Sequence, residues 1–246
     1  LFVEGPQSLI VPPSIQEANA LALNIQVSAG SDDAEEVVSS GAMNLTSTDL
    51  ELVNEGGITN QLVGMRFLNL TIPQGATITN AYVEFTVATA RSGTLNVTVQ
   101  GQAADSPATF TTTAFNISSR PRTAASVAWN NVPNWTVAGA KQQTPNLSSI
   151  IQEIVNRGGW ASGNALVVII TGPASTVWRE PDSFNAGAAV APLLHVEYAS
   201  FTKMQLLVPG ETAAPGTGSG KTGTPSAQTA GTPFTVTVNA VDANWN

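Results

Sequence analysis

Short segments in which apolar and polar residues alternate recur along this chain, and they constrain its fold more than any other feature. They lie at 21–27, 81–87, 95–99 and 194–198. A period of two places the apolar side chains on one face of a β-strand, and several such strands separated by turns favour an antiparallel sandwich. We therefore predict that residues 21–200 form an all-β, jelly-roll-like sandwich. The predicted core contains Ile25, Val27, Phe67, Val83, Phe85, Val97, Val168, Ile170 and Val196.

One segment, at 147–157, has the spacing of an α-helix. Its apolar residues recur at intervals of three and four, at Leu147, Ile150, Ile151 and Ile154. Asn146 is predicted to cap its start, and Gly158 and Gly159 to end it in a left-handed conformation. The continuous apolar run at 165–170 then predicts a central strand, which gives the sandwich one short helix and an otherwise β structure.

The N-terminal segment and the segment after the sandwich differ from the middle of the chain. Residues 1–20 contain the pair Pro12-Pro13, which excludes a helix and disfavours a central strand. We predict that they form an extended arm. Residues 201–233 are dominated by Gly, Thr, Ala, Pro and Ser, which is the composition of a linker.

A last strand is predicted within residues 234–246, with Phe234, Val236 and Val238 on one face. Nothing after it in the sequence can pair with it, and a single strand is not stable in water. Two interpretations follow. The strand is donated to a sheet edge of an identical subunit, which builds a ring or a filament, or it is the first strand of an immunoglobulin-like unit whose other strands follow Asn246.

Charge and composition exclude several classes of function. Charged residues make up 11% of the chain, against roughly 25% in an average globular domain, and this is typical of an extracellular β protein. The formal net charge is -8, and because no cluster of Lys and Arg could neutralise a row of phosphates, we predict that nucleic acid is not a partner. No apolar run approaches the length of a membrane-spanning helix, so membrane insertion is not expected. There is no cysteine, which excludes disulfides and thiolate sites.

An ordered series of motifs resembles a known family. The series runs SDDAEE at 31–36, LTSTDLEL at 45–52, VGMRF at 63–67, IPQGA at 72–76 and AYVEF at 81–85, and it continues with VAW at 127–129, GWASGNAL at 159–166 and APLLHVEY at 191–198. It is similar to the DNRLRE-type β-sandwich family, which is also classed as carbohydrate-binding module family 96. The resemblance covers roughly residues 20–200 and implies an exported chain, with sugar binding as a property of the family.

The tail carries a second resemblance. Residues 207–212 and 231–236 resemble the joints that lead into immunoglobulin-like repeats of very large bacterial surface proteins. Together the two resemblances imply a multi-domain protein at the cell surface.

Acidic residues in and near the first motifs are candidate calcium ligands, because calcium takes six to eight oxygen atoms from flexible loops. Glu51 lies in the same stretch but is not among the predicted ligands. The alternative is a solvated acidic loop without a metal. The predicted ligands are Asp32, Asp33, Glu35, Asp49, Glu180 and Asp182.

Tryptophans could form a platform on which sugar rings stack. Trp135 and Trp178 have polar neighbours, and together with Arg179 they form the predicted carbohydrate site. The alternative is that these tryptophans fill the core.

Two further residues, an arginine within an apolar run and a histidine, need an explanation. Arg66 lies inside an apolar run, and we predict that a carboxylate or a carbonyl group pairs with it. His195 is the one histidine of the chain and lies opposite the apolar face of its strand. A catalytic triad would require it to face a pocket with a nucleophile beside it, so we predict that the chain is not an enzyme.

Two functions follow from these observations. In the first, the chain is a non-catalytic structural or adhesive subunit of an extracellular fibre or layer of identical subunits. In the second, it is a carbohydrate-binding module of a secreted enzyme or adhesin, with a polysaccharide as its partner.

Overall fold

The computed structural model describes residues 21–57, 59–201, 203–241 and Trp245. The described chain divides into two compact units, a sandwich unit that ends at Ser200 and a C-terminal unit that begins at Phe201. The predicted arm at 1–20 lies outside the described residues.

The sandwich unit consists of two antiparallel sheets, which confirms the predicted all-β class. In the first sheet the order is β1, β12, β6, β11, and β9 also pairs with β6. These strands are β1 (Leu21–Gln26), β6 (Thr77–Thr89), β9 (Lys141–Gln143), β11 (Glu180–Pro181) and β12 (Leu193–Ala199). In the second sheet the order is β3, β2, β5, β10, β7, β8, and β4 also pairs with β5. Its strands are β2 (Asp33–Val37), β3 (Met43–Asn44), β4 (Asn54–Glu55), β5 (Thr59–Leu70), β7 (Val97–Gln102), β8 (Arg122–Trp129) and β10 (Asn164–Thr171).

The core lies between the two sheets and is built from the alternating residues of the sequence. Eight of the predicted core residues belong to one buried cluster, and Ile25 is partly buried and packs against it. Because neighbouring strands bring their apolar faces together, Val83 and Phe85 of one sheet share this cluster with Phe67 of the other.

A second, smaller apolar cluster lies on the outer face of the second sheet. Val167 and Ile169 of β10 pack there against Phe110 and Ile117 of a loop that covers the strands. Gly64 permits this contact, since a Cβ atom at that position would collide with the Phe110 ring. β10 is therefore apolar on both faces, as expected for the central strand predicted at 165–170.

The predicted helix is present as α1 (Ser148–Val155). Its N-cap position is occupied by Leu147, not by the predicted Asn146, and Leu147 makes no side-chain cap bond. Asn146 precedes the cap, and its side chain accepts a hydrogen bond from the Ser148 amide at 2.8 Å. The predicted left-handed stop is wrong, because neither Gly158 nor Gly159 has a positive φ. Gly159 instead leaves room for Asp105, whose carboxylate occupies the place that a Cβ atom would take.

The C-terminal unit contains strands where a linker was predicted. β13 (Lys203–Leu207) pairs with β16 (Thr237–Val241), and β14 (Glu211–Ala213) pairs with β15 (Lys221–Gly223). The last strand therefore has a partner within its own chain, and the prediction that it stands alone is wrong. It also begins at Thr237, so that Phe234 and Val236 precede it. The partner lies thirty residues upstream, and a local alternation pattern cannot reveal so distant a pairing.

None of the helices in the described ranges combines the length and the apolar character needed to cross a membrane.

Candidate functional site

A short segment, 49–52, closes one side of the sandwich between the two sheets. The Leu50 amide donates to the Pro181 carbonyl and the Leu52 amide to the Arg179 carbonyl, both at 2.8 Å. Since β11 pairs in turn with β6, the segment extends the first sheet towards β2 of the second. We call the contact between segment 49–52 and β2 the acidic seam, because its polar side chains are carboxylic acids.

Glu35 is the residue of β2 that faces this seam. It lies opposite Val63 of β5, and directly opposed residues of antiparallel strands share a face, so its side chain points to the interior. Its Oε1 atom accepts a hydrogen bond from the Glu51 amide at 2.7 Å. The Glu35 carboxyl group thus binds the backbone amide that segment 49–52 leaves free on its side away from β11.

The side chains of Glu35 and Glu51 also act on each other, and each shifts the pKa of the other. Burial, together with the hydrogen bond to the Glu51 side chain and the charges of Glu51 and Asp49, raises the pKa of Glu35 to about 10. The pKa of Glu51 is raised as well, chiefly by burial, although its hydrogen bond with Glu35 acts in the opposite direction. Both carboxyl groups therefore ionise less readily than exposed glutamates do.

Two further carboxylates lie along the same side of the sandwich. Asp49 and Asp182 face each other across a β-bridge, and burial together with the charge of Asp49 raises the pKa of Asp182. Asp33 accepts a hydrogen bond from the Phe184 amide at 2.7 Å. Its pKa is raised to about 6 because its burial outweighs that bond.

The six predicted calcium ligands do not form one group. Asp32 pairs with Arg66 at 2.9 Å, which confirms the prediction that Arg66 has a carboxylate partner. Glu180 pairs with Arg91 at 2.6 Å. Of the other four, the structure brings Asp49 close to Asp182 and Glu35.

In the ranges that the structure describes, no set of three or more His, Asp or Glu side chains has an arrangement suited to a metal ion. Calcium binding remains a prediction.

The predicted calcium ligands do not include Glu51, whose amide donates to Glu35. In the stretch Asp49-Leu50-Glu51-Leu52, acidic and apolar residues alternate as they do in a strand. This alternation is the sequence signal that places Glu51 on the same face as Asp49. The pattern predicts that the Glu51 side chain points away from Leu50 and Leu52. It cannot reveal that Glu35 of β2 lies next to Glu51 in the folded chain.

The predicted carbohydrate site is not an exposed platform. Trp135 has no exposed surface, and it packs at 6.0 Å from Phe85, ring centre to ring centre, in the core. The prediction that it is accessible is wrong. The polar residues beside it in the sequence face the solvent instead, because neighbouring residues of an extended chain point in opposite directions.

Arg179 is also fully buried and serves as an internal anchor. Its guanidinium group donates to the carbonyls of Pro133 at 2.7 Å, Gly93 at 2.7 Å and Val132 at 2.8 Å. These bonds satisfy loop carbonyl groups that would otherwise be buried without partners. Its donors are therefore not free to bind a sugar.

Trp178 is half-buried, and its neighbours constrain its ring. The Arg91 guanidinium lies over it at 4.6 Å from the ring centre, and its indole nitrogen donates to the Glu180 carboxylate at 3.2 Å. Of the three predicted carbohydrate-binding residues, it alone retains exposed surface. Polysaccharide binding remains a prediction.

His195 is held by polar contacts on the outer face of its sheet. Its Nδ1 atom lies 2.7 Å from Asn24 Oδ1 and its Nε2 atom 3.1 Å from Glu197 Oε1. Its ring stacks on Tyr82 at 4.6 Å. The contact of Nδ1 reaches the neighbouring strand β1, whereas Glu197 lies on the same strand as His195. Both ring nitrogens are thus used in polar contacts.

The C-terminal unit presents an apolar sheet face to the solvent. Met204 lies opposite Ala240 and Leu206 opposite Val238, so these four side chains share one face. Met204 is 75% exposed, Leu206 52% and Val238 49%. The other face is buried at Gln205 and Leu207. We call the exposed side the C-terminal apolar face.

No protein-family model matches this chain, and no curated protein is significantly similar to it. The resemblance to the DNRLRE-type family remains a prediction that rests on the motifs quoted above.

Proposed function

We propose that the chain is a non-catalytic structural subunit of an extracellular fibre or layer, in which identical subunits associate through the C-terminal apolar face. The observation that carries this proposal is the exposure of Met204, Leu206 and Val238 side by side on one sheet. Contiguous apolar surface in contact with water is unfavourable, and it commonly marks a site of protein association.

The size of the sheet supports the same proposal. A two-stranded sheet is marginal in water and needs further strands or a packing partner. β13 and β16 pair over five residues each, and the β14–β15 pair is a separate sheet in the described part of the unit. A second copy that packs against Met204 and Leu206 would remove this apolar surface from water.

The test is to place a charge on the apolar face. Leu206→Asp should weaken self-association of the full chain by about tenfold or more, since burying an unpaired carboxylate costs more than 1.4 kcal/mol. The matched control is Val137→Asp, which changes another exposed side chain, in the sandwich unit. Sedimentation equilibrium and negative-stain microscopy measure the outcome. Equal association of both variants and the wild type would refute the proposal.

Strand donation is a distinct mode of the same assembly. It requires β16 to leave its own β13 and pair with β13 of another copy. Gln205 and Asn239 lie opposite each other in this pair, and the chain has no cysteine of its own. A mixture of the Gln205→Cys and Asn239→Cys variants forms a disulfide-linked dimer of unlike chains only if the strands exchange. Absence of that dimer in assembled material would exclude donation.

A further inference from the structure

Two neighbouring loops of the sandwich unit form an exposed surface without charges. They are residues 38–42, the turn between β2 and β3, and residues 111–115, part of the connection between β7 and β8. None of these residues is charged, and all of them except Gly41 are exposed. The two loops are joined, because the Phe115 amide donates to the Gly41 carbonyl at 2.9 Å. We call this surface the Val38–Phe115 patch.

Phe115 is the largest apolar side chain of the patch. Its ring packs on Gly41, where a Cβ atom would lie 2.6 Å from the ring, yet the residue is 47% exposed. Its φ of 62° is unfavourable for a bulky side chain and persists only where the surrounding structure holds it. The same connection buries Phe110 and Ile117 against the second sheet. The fold therefore keeps one aromatic ring at the surface while it buries the apolar residues on either side.

Val38 adds a second apolar side chain to the patch. It lies in the turn against which Phe115 packs, and it is 49% exposed. Its amide donates to the Asn60 carbonyl at 3.0 Å, which fixes the turn to β5. Leu21 and Val137 are also exposed apolar residues of the sandwich unit, but they belong to separate segments. The patch thus combines two exposed apolar side chains on loops that the backbone holds in place.

The symmetry of a fibre requires a surface of this kind, and in this respect the inference rests on the proposed function. If the C-terminal apolar faces of two copies pack against each other, the contact uses the same surface twice and closes into a dimer. A contact between two different surfaces repeats from copy to copy and builds a ring or a filament. A fibre that grows through the C-terminal apolar face therefore needs a different surface to receive it.

The charge of the chain favours an uncharged contact. Its formal net charge is -8, so that copies repel one another, and like charges brought together at an interface are costly. The side chains of Met204, Leu206, Val238 and Ala240 are uncharged, as are those of the Val38–Phe115 patch. A contact between the two surfaces removes apolar area from water without burying an unpaired carboxylate.

We propose that the Val38–Phe115 patch is the docking site for the C-terminal apolar face of the next copy, so that identical subunits join head to tail. Phe115 is the anchor of this contact, because aromatic side chains often dominate the binding energy of an interface. Met204 suits such an anchor, since its thioether is flexible and makes favourable contacts with aromatic rings.

Mixing two association-deficient variants of the full chain tests the head-to-tail contact. Phe115→Asp changes the patch and leaves the C-terminal apolar face intact, whereas Leu206→Asp does the reverse. Each variant alone should associate about tenfold or more weakly than the wild type. Mixed in equal amounts, they should form a dimer of unlike chains that does not grow, because each variant supplies the surface that the other lacks. Sedimentation velocity with one variant fluorescently labelled measures this dimer, and its absence would overturn the proposal.

Two further variants separate the patch from general effects. Val38→Asp changes the patch without removing the Phe115 ring and should replace Phe115→Asp in the mixture, which covers the case in which Phe115→Asp does not fold. Val137→Asp should assemble like the wild type. If both patch variants assemble like the wild type and Leu206→Asp does not, the docking site is refuted while the proposed function stands. If Leu206→Asp also assembles normally, or if the wild type stays monomeric, both fail.

Discussion

The sandwich unit and the C-terminal unit have similar alternating sequences, yet they bury their apolar side chains to very different extents. In the sandwich, Phe67 and Val83 are completely buried between two sheets. In the C-terminal unit, Met204 and Leu206 alternate in the same way along β13 but remain exposed on one side. The comparison shows that alternation produces a strand, whereas a core requires a second sheet to cover it.

The largest expected effect comes from comparing one side-chain truncation in each unit. Phe67→Ala should lower the free energy of unfolding by about 3–5 kcal/mol, because it leaves a cavity in a closed core. Met204→Ala should change it by less than about 0.5 kcal/mol, because the side chain is already in water. Urea unfolding measures both. Similar losses from the two variants would mean that the face at Met204 is covered in solution.

Calcium, if it binds, should affect only the sandwich unit. At a hundredfold excess over its dissociation constant, a ligand specific to the folded state stabilises it by about 2.7 kcal/mol, and EDTA should lower the thermal midpoint accordingly. Asp49→Asn should abolish the shift, whereas Asp105→Asn, which removes a carboxylate far from the seam in sequence and paired with Arg157, should retain it. A melting curve that EDTA leaves unchanged would exclude the metal.

The stability of the sandwich unit should depend on pH through the buried carboxyl group of Asp33. Because its pKa is raised from 3.8 to about 6, its contribution to stability is complete below about pH 3.8 and is lost as the pH rises through about 6. The loss should be of the order of 3 kcal/mol. Asp33→Asn cannot ionise and should remove this part of the profile. Urea unfolding at several pH values measures it, and identical profiles for the variant and the wild type would contradict the prediction.

The smallest expected effect tests whether the two units are energetically separate. The core of the sandwich is built from residues of that unit alone. Deletion of residues 201–246 should therefore change the free energy of unfolding of the sandwich by less than about 0.5 kcal/mol. Chemical denaturation of the full chain and the truncated chain gives the comparison. A much less stable sandwich would show that the C-terminal unit supports it.

Features that depend on neighbouring residues could be predicted from the sequence. The strands of the sandwich and the helix at Ser148–Val155 follow from periodicity, since the periods of two and 3.6 fix which side chains share a face. The partner of Arg66 follows from the cost of an unpaired charge in an apolar run, and Asp32 provides it.

Features that depend on distant residues were decided only by the tertiary structure. Trp135 and Trp178 have similar polar neighbours in the sequence, yet one fills the core and the other is half-buried at the edge. Glu51 meets Glu35 because segment 49–52 crosses from one sheet to the other, and β16 finds β13 thirty residues upstream. Alternation defines which face of a strand is apolar, but it contains no information about which strand lies opposite, because that choice depends on how all the sheets pack at once.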